Sequence, residues 1–506
     1  MTDNQNKKTM ISLVTSLMAM ALSMAISFFL SPYIVENFGE EANGFTQLAN
    51  NFVNYATLIT VALNSMAGRF ITISYHRKDY ELCNKYYSSV IIGNVVIIAV
   101  LLLPAVYCVA RLDALIQIET AVVSHVKILF ALVFGNFFLQ QVNGILTIAI
   151  YVKNVQYIQN SVNMLRTLIN AVGLIAIFAA MTPRIFYVSL VGFVLSLITI
   201  PIFYVVKRKI LPEIKFSIKS FDIKTIWQMI SSGIWNTVNQ CGNLLMTGFD
   251  LLLSNWFISP VQMGVLSVAK TIPNCIIQLA GTVNTTFSPN LTIAYAANDK
   301  RRIIGSLRYA MKCSSILVAI PIMVITVYGN SFYSLWVPSI DANELTVLSF
   351  LSCVAFIPFA GPQVLYNVYT TANKLKVNAI SVLIGGVVNI VAVYLLLRYT
   401  DLGLIAVAGV SSLVSILRNL LITVPYTARI LDLKWYTFYS DVLVSLVCCA
   451  MSGVACYICQ KLIVPTSWIT FIASAAVACI ISAALMVLVL LNKNEKKQII
   501  KKILRK

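Results

Sequence analysis

GFTQLANNFVNYATLITVALNSMAGRFITISYHRKD, residues 44–79, lines up without a gap on GVLSVAKTIPNCIIQLAGTVNTTFSPNLTIAYAAND, residues 264–299. Eight of the 36 positions are identical at a constant offset of 220: Gly44/Gly264, Ala49/Ala269, Asn54/Asn274, Asn64/Asn284, Thr72/Thr292, Ile73/Ile293, Tyr75/Tyr295 and Asp79/Asp299. Apolar bias repeats leucines and valines, not three asparagine or aspartate pairs at one spacing. Asn170 and Asn389 continue the match at an offset of 219. Self-similarity at a fixed spacing marks a duplicated structural unit, so the chain reads as two copies of one helical module.

Outward from these stretches the sequence is apolar. Its 506 residues are 59% hydrophobic and only 11% charged, with a mean hydropathy of +0.85, whereas soluble domains carry roughly 25% charged residues. Runs of about 20 apolar residues, enough to cross a bilayer, fall near 10–30, 45–68, 88–110, 127–150, 164–182 and 185–206 in the first copy. They fall near 226–252, 262–285, 313–333, 346–370, 378–397 and 402–424 in the second, followed by 438–459 and 467–491. The first run follows Lys7 and Lys8 as a signal peptide would, but it is long, lacks a small-residue cleavage site and precedes further spans, so it reads as a retained helix.

Six spans per copy give both copies the same orientation, and such parallel repeats are related by an axis along the membrane normal. The expected fold is an all-α membrane protein of about 14 transmembrane helices. Its expected organisation is an N-terminal six-helix bundle over 1–206, a basic cytoplasmic connector over 207–225 and a C-terminal six-helix bundle over 226–434. An additional helix pair over 435–491 and a basic tail over 492–506 complete it. In the tail, Ile499, Ile500, Ile503 and Leu504 share one helical face. That suits a helix lying on an anionic leaflet as well as it suits a solvated basic tail.

Charge supports the count. Lys and Arg held in short loops set orientation, and 30 of the 37 basic residues fall at segments expected on one side. These include Arg69, Arg77, Lys78 and Lys85, then Lys153 and Arg166, the connector, and Lys300 to Lys312. The other side holds only Arg111, Lys127, Arg184, Arg398 and Lys461, while Lys270 and Arg418 fall within spans. One span more or fewer would scramble this alternation. Both termini are therefore expected on the cytoplasmic side of the membrane.

Several spans carry polar residues at helical spacing. In the seventh, Ser232, Asn236, Asn239, Asn243, Thr247 and Asp250 recur every three or four residues and so share one face. The eighth repeats this with Lys270, Asn274, Gln278, Thr282 and Thr285, and the second with Thr46, Asn50, Asn54, Thr57 and Asn64. Ser12, Ser16, Ser23 and Ser27 make a weaker stripe on the first. Single polar residues often bond between packed helices for about 0.6 kcal/mol each. Three stripes of four or more exceed that need and point to a water-filled cavity between the halves.

A lysine at the bilayer centre costs on the order of 2.5–3.5 kcal/mol on insertion scales, so Lys270 either pairs with Asp250 or supplies an anion-binding charge. Arg418 and Arg69 either join it or snorkel to the cytoplasmic surface. Asp250 is an interfacial residue or a coupling acid. Pro104, Pro273, Pro321 and Pro358 lie inside spans, where the missing N–H favours bends.

Other classes find no support. The charge of +19 is scattered between apolar runs, unlike a basic patch interleaved with aromatics, so nucleic acid is not an expected partner. The 11 cysteines lie mostly inside apolar runs, including the CxxC of Cys456 and Cys459, which argues against a disulfide framework or a metal site. His125 reads as an interfacial residue. With two histidines, no P-loop and no nucleophile motif, neither catalysis nor a cofactor is expected.

The Gly-x-x-x-x-Ala starts of the second and eighth spans (Gly44 to Ala49, Gly264 to Ala269), the two six-helix halves with an added pair, and GIWNTVNQCGNLLMTGFDLLLSNW from Gly233 to Trp256 resemble the Wzx-type oligosaccharide (O-antigen and polysaccharide) flippases. These belong to the superfamily of multidrug, oligosaccharidyl-lipid and polysaccharide exporters, which also holds the MATE transporters and the lipid II flippases. The resemblance covers essentially the whole chain through diffuse features. It implies a MATE-like fold and translocation of an undecaprenyl-pyrophosphate-linked oligosaccharide to the outer leaflet by alternating access, for surface polysaccharide or lipopolysaccharide assembly. The implied partners are that polyprenyl-pyrophosphate-linked oligosaccharide, the phospholipid bilayer, and a polysaccharide polymerase with other assembly proteins. Lys270, Arg69 and Arg418 would then meet the pyrophosphate, and Asn50, Asn54, Asn236, Asn239, Asn243, Asn274 and Gln278 the sugars. A drug exporter of the MATE type is the alternative, with Asp250 as its coupling acid, although residues 10–30 hold no acid. A lipid II flippase is a further one, although the first span holds no arginine.

Overall fold

The computed structural model describes residues 3–119, 122–153, 155–182, 184–296 and 299–490. The proposed amphipathic face of Ile499, Ile500, Ile503 and Leu504 lies outside the described residues. Among the described residues all regular structure is helical, as a bilayer demands of chains that must satisfy their own backbone groups. The chain divides into two compact units, Met1–Leu244 with Ser259–Gly264, and Leu245–Ile258 with Val265–Lys506.

The first unit holds α1 (Asp3–Phe38), α2 (Glu40–His76), α3 (Tyr80–Ala110), the short α4 (Leu112–Leu115), α5 (Val123–Val152), α6 (Gln156–Ala180), α7 (Tyr187–Ile210) and α8 (Ile223–Asn243). A π-helical turn, Leu244–Gly248, leads to α9 (Asp250–Phe257), and α10 (Pro260–Ala269) spans the boundary between the units. The second unit continues with α11 (Thr271–Ala296), α12 (Lys300–Trp336), α13 (Ala342–Cys353), α14 (Phe356–Phe359), a 3-10 turn at Pro362–Leu365 and α15 (Tyr366–Thr371). It closes with α16 (Leu375–Tyr399), α17 (Leu404–Arg418), a second π turn at Asn419–Thr423, α18 (Val424–Ile430), α19 (Tyr439–Leu462) and α20 (Trp468–Leu490).

All fourteen expected segments are helical. Eleven are long and apolar enough to cross a membrane, and twelve if the bent pair α10 and α11 is one span. The remaining two, 223–257 and 342–371, are divided into helices too short or too polar to qualify alone. Helices also outrun the apolar runs: α12 begins at Lys300 and α6 at Gln156, because turns rich in charge and amide extend past the hydrocarbon.

The repeat-matched residues do matching work. Asp79 caps α3 by accepting from the Leu82 amide at 3.0 Å, and Asp299 caps α12 by accepting from the Arg302 amide at 3.0 Å. Each satisfies a backbone donor that a helix start leaves open. Asn64 donates to Gln141 Oε1 at 3.2 Å and exchanges bonds with Asn94, while Asn284 donates to Gln363 Oε1 at 3.4 Å. Each asparagine thus ties the second span of its copy to the fourth. Gly44 and Gly264 pack against each other: a methyl on Gly44 would come within 3.1 Å of the Gly264 Cα, and one on Gly264 within 2.4 Å of the Glu40 carbonyl oxygen. Small residues permit this close backbone approach.

Pro104 and Pro321 sit inside α3 and α12, which run on through them. Pro273 lies just past a bend of 41° between α10 and α11. Its ring leaves the Ala269 carbonyl without an amide donor, and the Ser349 hydroxyl takes that place at 2.7 Å.

Candidate functional site

In the first unit, α8 lies along α2 so closely that a methyl on Gly233 would come within 2.2 Å of the Ala62 carbonyl oxygen. Asn236 donates to Ser65 Oγ at 3.3 Å across this seam. Asn50 turns back on its own helix, donating to the Thr46 carbonyl at 3.0 Å. Asn50, Asn54 and Asn243 are exposed, and Asn236 and Asn239 are half-buried. Arg69 is exposed about two turns from the C-terminal end of α2.

The second unit treats its charges differently. Lys270 occupies the bend between α10 and α11, and its ammonium donates to the Asp250 carboxylate. The Lys270 side chain is 13% exposed and that of Asp250 1%, so of the two readings of Lys270 this structure shows the ion pair. Asp250 opens α9 directly after the π turn, and its second oxygen, Oδ1, is buried without a hydrogen-bond partner. The turn is held open from α16: Asn389 donates to the carbonyls of Leu245 and Met246 at 3.2 and 2.9 Å. Asn274 and Gln278 follow on α11 and are exposed. Arg418 points inward at the second π turn instead of snorkelling, donating to Tyr366 Oη at 2.7 Å and Asn419 Oδ1 at 2.8 Å. Its Nε and Nη1 are buried without acceptors.

One charge lies elsewhere than expected. Arg166, counted above with the cytoplasmic loops, sits about 15 Å along α6. It donates to Ser196 Oγ at 2.7 Å and, at 3.4 Å each, to the Gly192 carbonyl and Asn136 Oδ1. The amide-rich start of α6 delayed the apolar run and made this arginine look peripheral. The missed signal was a further stripe, Gln159, Asn163, Thr167 and Asn170. His125 packs its ring against Phe186 at 5.7 Å, and Cys456 and Cys459 are buried free thiols of α19.

The family described as polysaccharide biosynthesis protein matches residues 11–293, more than half of the chain. The chain belongs to this family. It is a multi-pass membrane protein of the polysaccharide biosynthesis family, and it is similar along 98% of its length to a protein of Bacillus subtilis (strain 168) named uncharacterized membrane protein EpsK. The two are 26% identical over 496 residues, and 98% of EpsK is covered. An inward-facing MATE-family multidrug resistance transporter superposes with a TM-score of 0.67 at 11% identity, over 84% of this chain and 98% of that one. The lipid II flippase MurJ in an inward closed conformation gives 0.66 at 15% identity, over 94% and 99%. At such identities the likeness is one of fold, and the fold of this polysaccharide biosynthesis protein is MATE-like.

Proposed function

We propose that this protein is a flippase that moves an undecaprenyl-pyrophosphate-linked oligosaccharide across the bacterial cytoplasmic membrane by alternating access, for surface polysaccharide assembly. One observation carries the reading: exposed amides recur at helical spacing on segments set among membrane spans, namely Asn50, Asn54, Asn243, Asn274 and Gln278. Amides in lipid are costly unless hydrated or bonded, and a water-lined run of amides suits sugar hydroxyls while a lipid tail stays in the bilayer. Membership of the polysaccharide biosynthesis family and the MATE-like fold agree with it.

In this proposal Lys270, Arg69 and Arg418 serve the pyrophosphate, and the amides above with Asn236 and Asn239 serve the glycan. Lys270 is held by Asp250, so it would meet a phosphate only on leaving that carboxylate. Protonation of Asp250 would release it, which gives Asp250 its coupling role. In this proposal both termini lie in the cytoplasm, which the positive-inside alternation of the sequence supports.

Deletion followed by extraction of lipid-linked glycans tests the reading. A polyprenyl-linked oligosaccharide should accumulate in the cytoplasmic leaflet and surface polysaccharide should be lost. Drug hypersensitivity with an unchanged glycan profile would favour the second reading, a cation-coupled exporter, which draws on the MATE likeness and on Asp250. Accumulated lipid II would favour a function like the one MurJ is named for.

A further inference from the structure

Arg166 faces more than its three protein partners. It lines a cavity of about 280 Å³ within the first unit, between α5, α6 and α7, whose other walls include Gln140, Gln159, Asn163, Thr167 and Thr199. Only Nη2 of the guanidinium is bonded to protein, and every acceptor it meets is neutral. Among the described residues no carboxylate pairs with Arg166. An arginine cannot shed its charge, and an isolated cation at membrane depth marks a binding pathway or a partner. The side-chain amides of the wall residues Gln140, Gln159 and Asn163 likewise have no protein partner among the described residues.

The second unit builds the same feature from the opposite helix. The offset of 219 that matches Asn170 with Asn389 also matches Arg166 with Gly385, and Arg418 with the cavity residue Thr199. Beside Gly385 of α16, a methyl would come within 3.5 Å of Met246 Sδ and Val414 Cγ1 and within 3.7 Å of the Arg418 Cδ of α17. Each copy thus carries one guanidinium on this matched pair of helices, on α6 in one and α17 in the other, and in each two of its nitrogens find no protein acceptor.

We infer that the Arg166 cavity is a binding site for one carboxylate-bearing sugar residue. A carboxylate offers a guanidinium two acceptor oxygens in matching geometry. A pyrophosphate, with its higher charge, calls for more than one cation. The remaining walls are amides and hydroxyls, which suit sugar hydroxyls, and the volume sits at the low end of ligand pockets, roughly 300–1,000 Å³, so it takes one residue of a glycan and not an oligosaccharide with its carrier. The inference deepens the flippase reading and rests on it: the transported glycan would be acidic.

The test is ligand protection of the purified full-length chain against thermal unfolding, titrated with D-glucuronate, D-glucose and inorganic phosphate. Glucuronate should protect, with glucose and phosphate each at least about tenfold weaker. Arg166→Gln should weaken glucuronate at least about tenfold, and Arg166→Lys less. Should Arg166→Gln fail to fold, Asn163→Asp, at an exposed wall position, places a like charge beside the ligand and should abolish protection. Equal protection by glucose, stronger protection by phosphate, no protection by glucuronate, or a variant that binds it as the parent does overturns the site. Glycan accumulation on deletion would stand in each of those cases, so the two readings fail separately.

Discussion

Lys270 and Arg166 are both cations placed deep in membrane helices, and the two units settle them in opposite ways. In the second unit, Lys270 at the α10/α11 bend is closed off by Asp250 and nearly buried. In the first, Arg166 on α6 has only neutral acceptors and opens on a polar cavity. A buried charge pair makes each partner dependent on the other, because removing one strands the other. A cation held by neutral dipoles strands no opposite charge when removed. Dependence of folding on a charge and availability of that charge to a ligand are therefore separable here, and substitutions separate them.

The largest effect belongs to the closed pair. Lys270→Ala leaves a buried carboxylate, a loss of about 3–5 kcal/mol, and should sharply lower accumulation and melting temperature in detergent. Lys270→Ala with Asp250→Ala should recover accumulation; if surface polysaccharide returns as well, the pair is structural and Lys270 is no anion anchor. Arg166→Gln should be milder for stability, about 1–3 kcal/mol for the lost charged hydrogen bonds. It should nonetheless reduce surface polysaccharide in cells at normal protein levels. A loss of stability as large as that of Lys270→Ala would erase the contrast between the units.

The repeat gives a finer comparison. Asp79→Ala and Asp299→Ala each remove one helix cap and should each cost about 1 kcal/mol; clearly unequal melting shifts would break the equivalence drawn from their matching bonds. The smallest effect is expected at the connector between α3 and α5. Lys127 lies 2.6 Å from Asp113 and its hydrogen bond holds that carboxyl below the ordinary carboxylate range. Lys127 is only half-buried and Asp113 exposed, however, so Lys127→Ala should leave the melting temperature nearly unchanged.

Much of the fold was legible because a bilayer simplifies the code. Apolar runs located every long helix among the described residues, and the pairs Asp79/Asp299 and Asn64/Asn284 exposed the duplication because caps and interhelical amide bonds recur with the backbone they serve. Boundaries were less legible where polar turns extend a helix beyond the hydrocarbon, as at Gln156 and Lys300. For that reason Arg166 was misplaced. The polar stripes were visible in the sequence, but the Lys270 pairing was not decided there. It depends on a π turn propped by Asn389 and on a bend at Pro273, two departures from regular helix that periodicity does not encode.

Translocation by the purified chain tests the flippase reading most directly. Reconstituted in liposomes that carry an undecaprenyl-pyrophosphate-linked oligosaccharide, the protein should make the glycan accessible to a membrane-impermeant glycosidase from the opposite face, and protein-free liposomes should not. Glycan accessibility that does not depend on the protein, with protein-dependent movement of a small cationic dye in the same liposomes, would contradict it.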